Sequence, residues 1–287
     1  MDIVKYYEEI VSKRHSVREY EDKPVSDDML AKLEEYFKDI KGITNADIEI
    51  KIIDGSKYHG MINAAGYNGF LVEAPKYVLI LSDESEHYLE NAGYIGQGIT
   101  LKCTELGLDT CWMTIVNQEA LNKALDINGN KVPAALIAFG YGKEQEIEKR
   151  LDIKNPSHVK MVETESKAAP KIDLSEFIFD KSYGRLFDES ELYTGLEDAL
   201  LAASRSQSFF NRQPYRIIVD DAEVALIGLK DELTGDYDAH LNYGICMFDF
   251  YAVLSATRKD APNWTFEKWE GDLKLPENAE YVAKCRI

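Results

Sequence analysis

Apolar residues recur along this chain in alternating helical and strand-like periods. Ile3, Tyr6, Tyr7, Ile10 and Val11 are spaced as one face of a first helix. After Pro24, Ser26-Asp27-Asp28 is a helix start, and Leu30, Leu33 and Phe37 carry the period toward Gly42. Ile48 to Ile53 alternates apolar and polar residues and reads as a half-buried strand ending at Asp54-Gly55. Tyr58, Met61, Ile62, Ala65 and Phe70 predict another helix, weakened by glycine. The continuous apolar run from Pro75 to Ser82 predicts a strand buried on both faces. From Tyr88 through Ala92, Ile95, Ile99, Cys103 and Leu106 the period is helical until Gly107 stops it. Gly93, Gly96 and Gly98 lie inside that helix, each costing about 1 kcal/mol against alanine. Close packing of another helix, or approach of a planar ligand, would explain them.

Residues 109–116 read as a strand, Gln118 to Leu125 as a short helix, and Pro133 to Gly140 as a further buried strand. From Lys143 to about Asp173 charges and prolines break every period, so this stretch reads as a crossing connection. Beyond it come a helix from Tyr193 to Ala203, a strand from Tyr215 to Val219, an apolar segment from Val224 to Leu229, a helix from Tyr243 to Ala256, and an alternating run over residues 280–287. Strands alternating with helices predict an α/β or α+β layered fold, with a sheet covered by helices. The halves echo each other: Ile50 to Asp54 resembles Arg216 to Asp220, and each is followed by a long apolar helix. A duplicated domain packed about a pseudo-two-fold is expected, with residues 1–150 as one half, 151–173 as connection and 174–287 as the other half.

At 287 residues the chain is long enough to bury a real core, and 45% hydrophobic with 29% charged residues places it among soluble globular proteins. Its net charge of -18 argues against nucleic acid and against an anionic membrane surface, since both attract clustered Lys and Arg. Cys103, Cys111, Cys246 and Cys285 lack zinc or disulfide-framework spacing, and the histidines His15, His59, His87, His158 and His240 lack metal or base spacing. No metal site is expected. With no signal-like N-terminus and no apolar run long enough for a bilayer, the expected location is cytoplasmic.

Against that acidic background, Arg14-His15-Ser16-Val17-Arg18 stands out. Alternate positions of an extended segment share a face, so Arg14, Ser16 and Arg18 would leave together. Two guanidinium forks around a hydroxyl suit a phosphate; the same residues also read as a solvated basic helix exit. The second polar constellation is Ala202 to Arg216, in which Asn211 and Gln213 alternate and, if extended, would turn their amides to one face, suited to the polar edge of a heterocycle. A capped loop whose amides bind its own backbone is the competing reading.

With these motifs the chain resembles the nitroreductase-like flavoprotein family, in its single-chain branch of two fused halves. Arg14-x-Ser16-x-Arg18 resembles the family's phosphate grip, and Asn211-x-Gln213-Pro214-Tyr215 its ring-edge loop. The Gly93 to Gly107 helix and the strand ending in Gly140-Tyr141-Gly142 also resemble family segments. The resemblance implies FMN as cofactor, with Arg14, His15, Ser16 and Arg18 at its phosphate side, Ser206, Ser208, Asn211 and Gln213 lining the ring, and Trp112, Met113 and Thr114 aiming backbone donors at the reactive nitrogen. Lys149 and Arg150 are candidates for a further phosphate contact or a solvated pair. One phosphate motif and one ring-edge loop, in opposite halves, imply one FMN per chain and an internal dimer able to act as a monomer. The implied partners are NAD(P)H and a small electron acceptor such as a nitroaromatic or quinone, with the flavin carrying the chemistry and no catalytic side chain; flavin storage or sensing without turnover is the alternative. The loop departs from the family pattern: Gln207 stands near the usual proline, and Phe209-Phe210 precede Asn211.

Overall fold

Strand pairing sets the frame of each part of this chain, and one long helix lies on each four-stranded sheet. The structure, a computed structural model, describes residues 10–67, 70–144, 148–155, 158–164, 169–188, 194–258 and 263–287. The chain divides into two compact units, Lys13–Glu146 and a second made of Met1–Ser12 with Ile147–Ile287. Residues 1–9, which hold most of the expected first helix, lie outside the described residues.

In the unit Lys13–Glu146 the elements run α1 (Asp27–Asp39), β1 (Ile48–Asp54), α2 (Tyr58–Met61), β2 (Lys76–Ser82), α3 (Tyr88–Glu105), β3 (Asp109–Met113), α4 (Gln118–Ala124) and β4 (Val132–Gly140). The sheet order is β1-β2-β4-β3 with every neighbour antiparallel. Ser26 caps α1, its Oγ accepting from Met29 N at 3.4 Å, and Asp27 and Asp28 follow in the first turn where the helix dipole favours acid. The central strands β2 and β4 are buried nearly throughout, which is why their sequences run apolar without alternation.

Helix α3 lies on this sheet, with Ala92 to Leu101 buried without a break. Its glycine at 96 serves packing: a Cβ there would lie 2.5 Å from Trp112 Cη2, so the indole fills the notch and its Nε1 donates to Thr100 Oγ1 at 3.1 Å. Gly107, at φ +75, ends the helix in the left-handed conformation.

The helix expected from Tyr58 to Phe70 lasts one turn. Ile62 leaves it in extended geometry and Asn63 and Gly66 take positive φ. The freed backbone bonds to the chain beyond β3 instead: Gly66 N donates to Thr114 O at 2.8 Å, and Val116 N and Asn117 N donate to Ala64 O at 2.9 and 3.0 Å. Tertiary backbone pairing has displaced a weak local preference.

The second unit runs β5 (Glu148–Asn155), β6 (His158–Thr164), α5 (Leu174–Phe177), β7 (Ile178–Asp180), α6 (Thr194–Ser204), β8 (Tyr215–Asp220), β9 (Glu223–Leu229), α7 (Asp236–Thr257) and β10 (Ala279–Arg286). The stretch read as an irregular connection contains an antiparallel pair, β5 with β6, in which Leu151 faces Met161 and Ile153 faces Val159 across the ladder. The other sheet has the order β10-β9-β8-β7, antiparallel except for β7 beside β8. α7 begins at Asp236, seven residues before the expected start, because Asp236 and Asp238 suit a first turn after Gly235. Both units thus share an antiparallel strand pair, a long helix, and a later strand returning beside the second member: β1-β2-α3-β4 in one, β8-β9-α7-β10 in the other. The helix–sheet notch recurs inverted. Here the glycine is Gly228 on the sheet, where a Cβ would lie 2.3 Å from Tyr243 Oη of α7.

The notch at Gly96 gives a direct expectation. Gly96→Val forces two methyl groups against a fixed indole, and overpacking of this kind costs about 1–3 kcal/mol. Urea unfolding followed by tryptophan fluorescence should show a midpoint lowered accordingly, with the slope unchanged.

Candidate functional site

The arginine motif is tied to the outer edge of β3. Ser16 forms a parallel bridge with Thr110, and Val17 N donates to Thr110 O at 2.9 Å. Farther along, Tyr20 bridges Gly142, Glu21 N donates to Tyr141 O at 2.8 Å, and Lys143 N donates to Glu19 O at 3.0 Å. Val17 and Tyr20 are buried, which leaves Arg14 and Ser16 half-buried and Arg18 exposed. Arg18 Nη1 donates to Ser16 O at 3.4 Å, and His15 Nδ1 lies 3.1 Å from Lys13 O.

Both guanidiniums bear on one neighbour. Burial pushes the Cys111 thiol pKa up, and the charges of Arg18 and Arg14 pull partly back. Both charges are therefore felt at Cys111, the middle residue of β3, with the Ser16 hydroxyl between them in sequence. The donor set is the one a phosphate needs: two charged forks and a hydroxyl.

Along β3, Trp112 is half-buried, with its indole engaged on α3 as described above. Met113 is buried, and Thr114 is half-buried with its carbonyl accepting from Gly66 N. Lys149 and Arg150 lie on β5, where their backbones pair with Glu163 and Val162. A separate groove of about 580 Å³ in the unit Lys13–Glu146, between α1, β1 and α3, is lined by Phe37, Ile40, Ile48, Ile50, Asn91 and Ile95 among others. None of the expected site residues lines it.

The second constellation differs from its sequence reading. Asn211 and Gln213 do not extend with their amides on one face. Phe209–Asn211 form a turn of 3-10 helix, and Phe210, Asn211 and Gln213 adopt φ of +48, +57 and +50. Left-handed backbone costs roughly 1–2 kcal/mol for a residue with a side chain, less for asparagine. Side-chain hydrogen bonds hold the turn. Asn211 Nδ2 donates to Pro170 O at 2.6 Å, and its Oδ1 accepts from Lys171 Nζ at 2.7 Å. Gln213 Oε1 accepts from Ile172 N at 3.1 Å, and its Nε2 donates to Ser204 O at 2.7 Å. Ser208 Oγ accepts from Gln213 N at 2.8 Å.

Beneath the loop, helix α7 supplies two further anchors. Ser206 Oγ donates to Asp249 Oδ2 at 2.7 Å, and Phe209 N donates to Asn242 Oδ1 at 3.1 Å. Ser206, Asn242 and Asp249 are all buried. Burial raises the Cys246 thiol well above its usual pKa, with Asp249 adding to the rise and Ser206 opposing it. Tyr215 is raised in the same way, first by burial and then by Cys246 and Asp249, and its hydroxyl donates to Ser206 O at 3.0 Å. Lys171, Asn242 and Asp249 escaped the sequence reading. Lys171 sits in the charged connection, and the other two look like ordinary polar breaks in an apolar helix. Among the described residues no group of three or more His, Cys, Asp or Glu is placed to hold a metal, and no helix is long and apolar enough to cross a membrane.

These features define an α+β chain of two topologically related units with a phosphate-suited arginine motif, the nitroreductase-like class. A family model described as "Putative TM nitroreductase" matches residues 6–175, more than half of the chain, and the protein belongs to that family. A solved structure described as a "putative nitroreductase" from Thermotoga maritima aligns over 99% of this chain and 93% of its own, at 17% identity and a TM-score of 0.60, which shows a shared fold along the whole length. An FMN-dependent nitroreductase from Clostridium difficile is similar over 51% of this chain and 91% of its own, at 22% identity and a TM-score of 0.41. A nitroreductase family protein from Clostridium novyi is similar over 50% and 87%, at 20% and 0.42. No protein of curated function matches.

The buried thiols have a measurable consequence. Burial lifts Cys103 from 9.0 to about 12 and raises Cys111 and Cys246, while Cys285 rises to about 12 through burial, opposed by Arg258. All four should stay silent toward a disulfide reagent at mildly alkaline pH and react together on unfolding. Because the folded protein keeps protons that the unfolded chain releases, this contribution to stability is complete below about pH 9 and declines above it as pH rises toward the folded values. Thermal melting across that range should show a falling midpoint.

Proposed function

We propose that this protein is an FMN-dependent oxidoreductase of nitroreductase type, passing reducing equivalents from NAD(P)H to a nitroaromatic, quinone or similar acceptor. The observation that carries the reading is the pair Arg14 and Arg18 held with Ser16 along the edge of β3, in a nitroreductase-family chain whose net charge is -18. Phosphate is the ligand group that such a motif favours against an acidic background.

In this reading Arg14 and Arg18 bind the phosphate and Ser16 adds a neutral donor. The backbone from Trp112 to Thr114 borders the reactive edge of the ring, while the indole of Trp112 keeps β3 in register with α3. Lys149 and Arg150 are offered as further phosphate contacts, and His15 as a neighbour of the grip. The loop from Ser206 to Gln213 is offered as a ring-edge loop. Bound FMN accepts and returns hydride or electrons, and the protein supplies placement, electrostatics and access. No protein nucleophile or acid is asked to react.

Purified protein supplied with FMN should turn yellow and bind it, and should oxidise NAD(P)H when a nitroaromatic or quinone is present. Arg14→Ala with Arg18→Ala should weaken FMN binding by roughly a hundredfold, as loss of two charged hydrogen bonds implies. Unchanged affinity in that variant would sink the assignment. FMN binding without any NAD(P)H oxidation would point to storage or sensing instead.

A further inference from the structure

Three residues of four in the stretch 210–213 are left-handed without being glycine, and strain of this kind persists only where surrounding contacts over-determine it. The contacts converge from one short segment. Pro170 O, Lys171 Nζ and Ile172 N all bond to the amides of Asn211 and Gln213, and Lys171 Nζ also donates to Ser206 O at 2.7 Å. The ammonium thereby joins the two ends of the loop, from Ser206 to Asn211. Gln213 is only 2% exposed, and both ends of its amide are engaged.

We propose that Lys171 is a positioning residue for the ligand site: it locks the left-handed turn together with Asn211 and Gln213, so that in this chain the Asn-x-Gln pair shapes the ring-edge loop and does not itself read the ring. The inference rests on the FMN reading above for its ligand, and on the loop's own geometry for its mechanism. Residues 170–172 act as a strap, Asn211 and Gln213 are its fastenings, and Lys171 is the charged bond among them.

The test is a double-mutant cycle on the full-length protein, read by FMN titration and by hydrogen exchange of the ligand-free form. Lys171→Met should raise the FMN dissociation constant about tenfold, the loss of one charged hydrogen bond, and Lys171→Arg should restore most of it. Asn211→Ala should cost about the same, and the pair no more than either alone, because both act through one lock. Without FMN, Lys171→Met should speed exchange over residues 205–214. Multiplying losses in the pair would show that Asn211 contacts the ring independently and would overturn the proposal, as would unchanged exchange. If Lys171→Met does not fold, Lys171→Gln, which keeps a neutral donor, takes its place in the same cycle. Failure of the wild type to bind FMN would refute the flavin reading, while the exchange measurement would still decide whether Lys171 locks the loop.

Discussion

Everything in this chain depends on how closely a long helix can lie on an antiparallel sheet. Each unit buries a central strand on both faces, so the covering helix must sit near the backbone while large aromatic side chains fill the layer between. The units solve this in opposite senses. In one, a glycine on the helix, Gly96, admits Trp112 from the sheet; in the other, a glycine on the sheet, Gly228, admits Tyr243 from the helix. A single Cβ at either place would overlap a ring, so the pairings of large residue and absent side chain fix the helix position. Interiors packed to crystal-like density leave little room for another arrangement.

That constraint determines where polar chemistry is left. With α3 and its sheet filled by apolar contact, charge gathers at strand ends and outer edges, and the arginine segment joins the sheet there through Thr110 and Gly142. In the second unit, α7 carries Asn242 and Asp249 toward the loop that follows α6, so an otherwise apolar helix becomes the platform for a polar turn. Burial beneath this loop raises the pKa values of Cys246 and Tyr215, and Asp249 adds to both. Helix position, loop shape and protonation state thus follow from one packing problem.

Much of this was legible in the sequence, for a physical reason. Continuous apolar runs such as Val78 to Leu81 and Ala134 to Phe139 have one economical fate, burial on both faces, and they became central strands. Ser26 followed by two aspartates marked a helix start because the dipole rewards that order. Readings failed where tertiary hydrogen bonds outbid local pattern. The segment after Met61 gave up a helix to bond with the chain beyond β3, and Leu151, Ile153, Val159 and Met161 alternate visibly in retrospect, although the charges among them disguised a paired hairpin. In the loop, periodicity could not foretell that Phe210, Asn211 and Gln213 would turn left-handed, because the bonds responsible come from residues some forty positions earlier.

The loop also shows why a motif's chemistry is settled by what its atoms already bond to. An amide offers a fixed number of donors and acceptors, and each one engaged within the protein must be released before a ligand can use it. Exchanging one hydrogen bond for another is nearly neutral, so the decision falls to geometry and burial. For Gln213, buried and bonded at both ends, a ligand would have to displace backbone partners from a closed site and leave Ile172 N and Ser204 O to find others. Arg18 differs: it is exposed at a sheet edge, and its Nη1 donates to Ser16 O at 3.4 Å within its own short segment. The residue types of a motif can suggest a ligand, but the bonds already made by Asn211 and Gln213 assign their amides to the shape of their own loop.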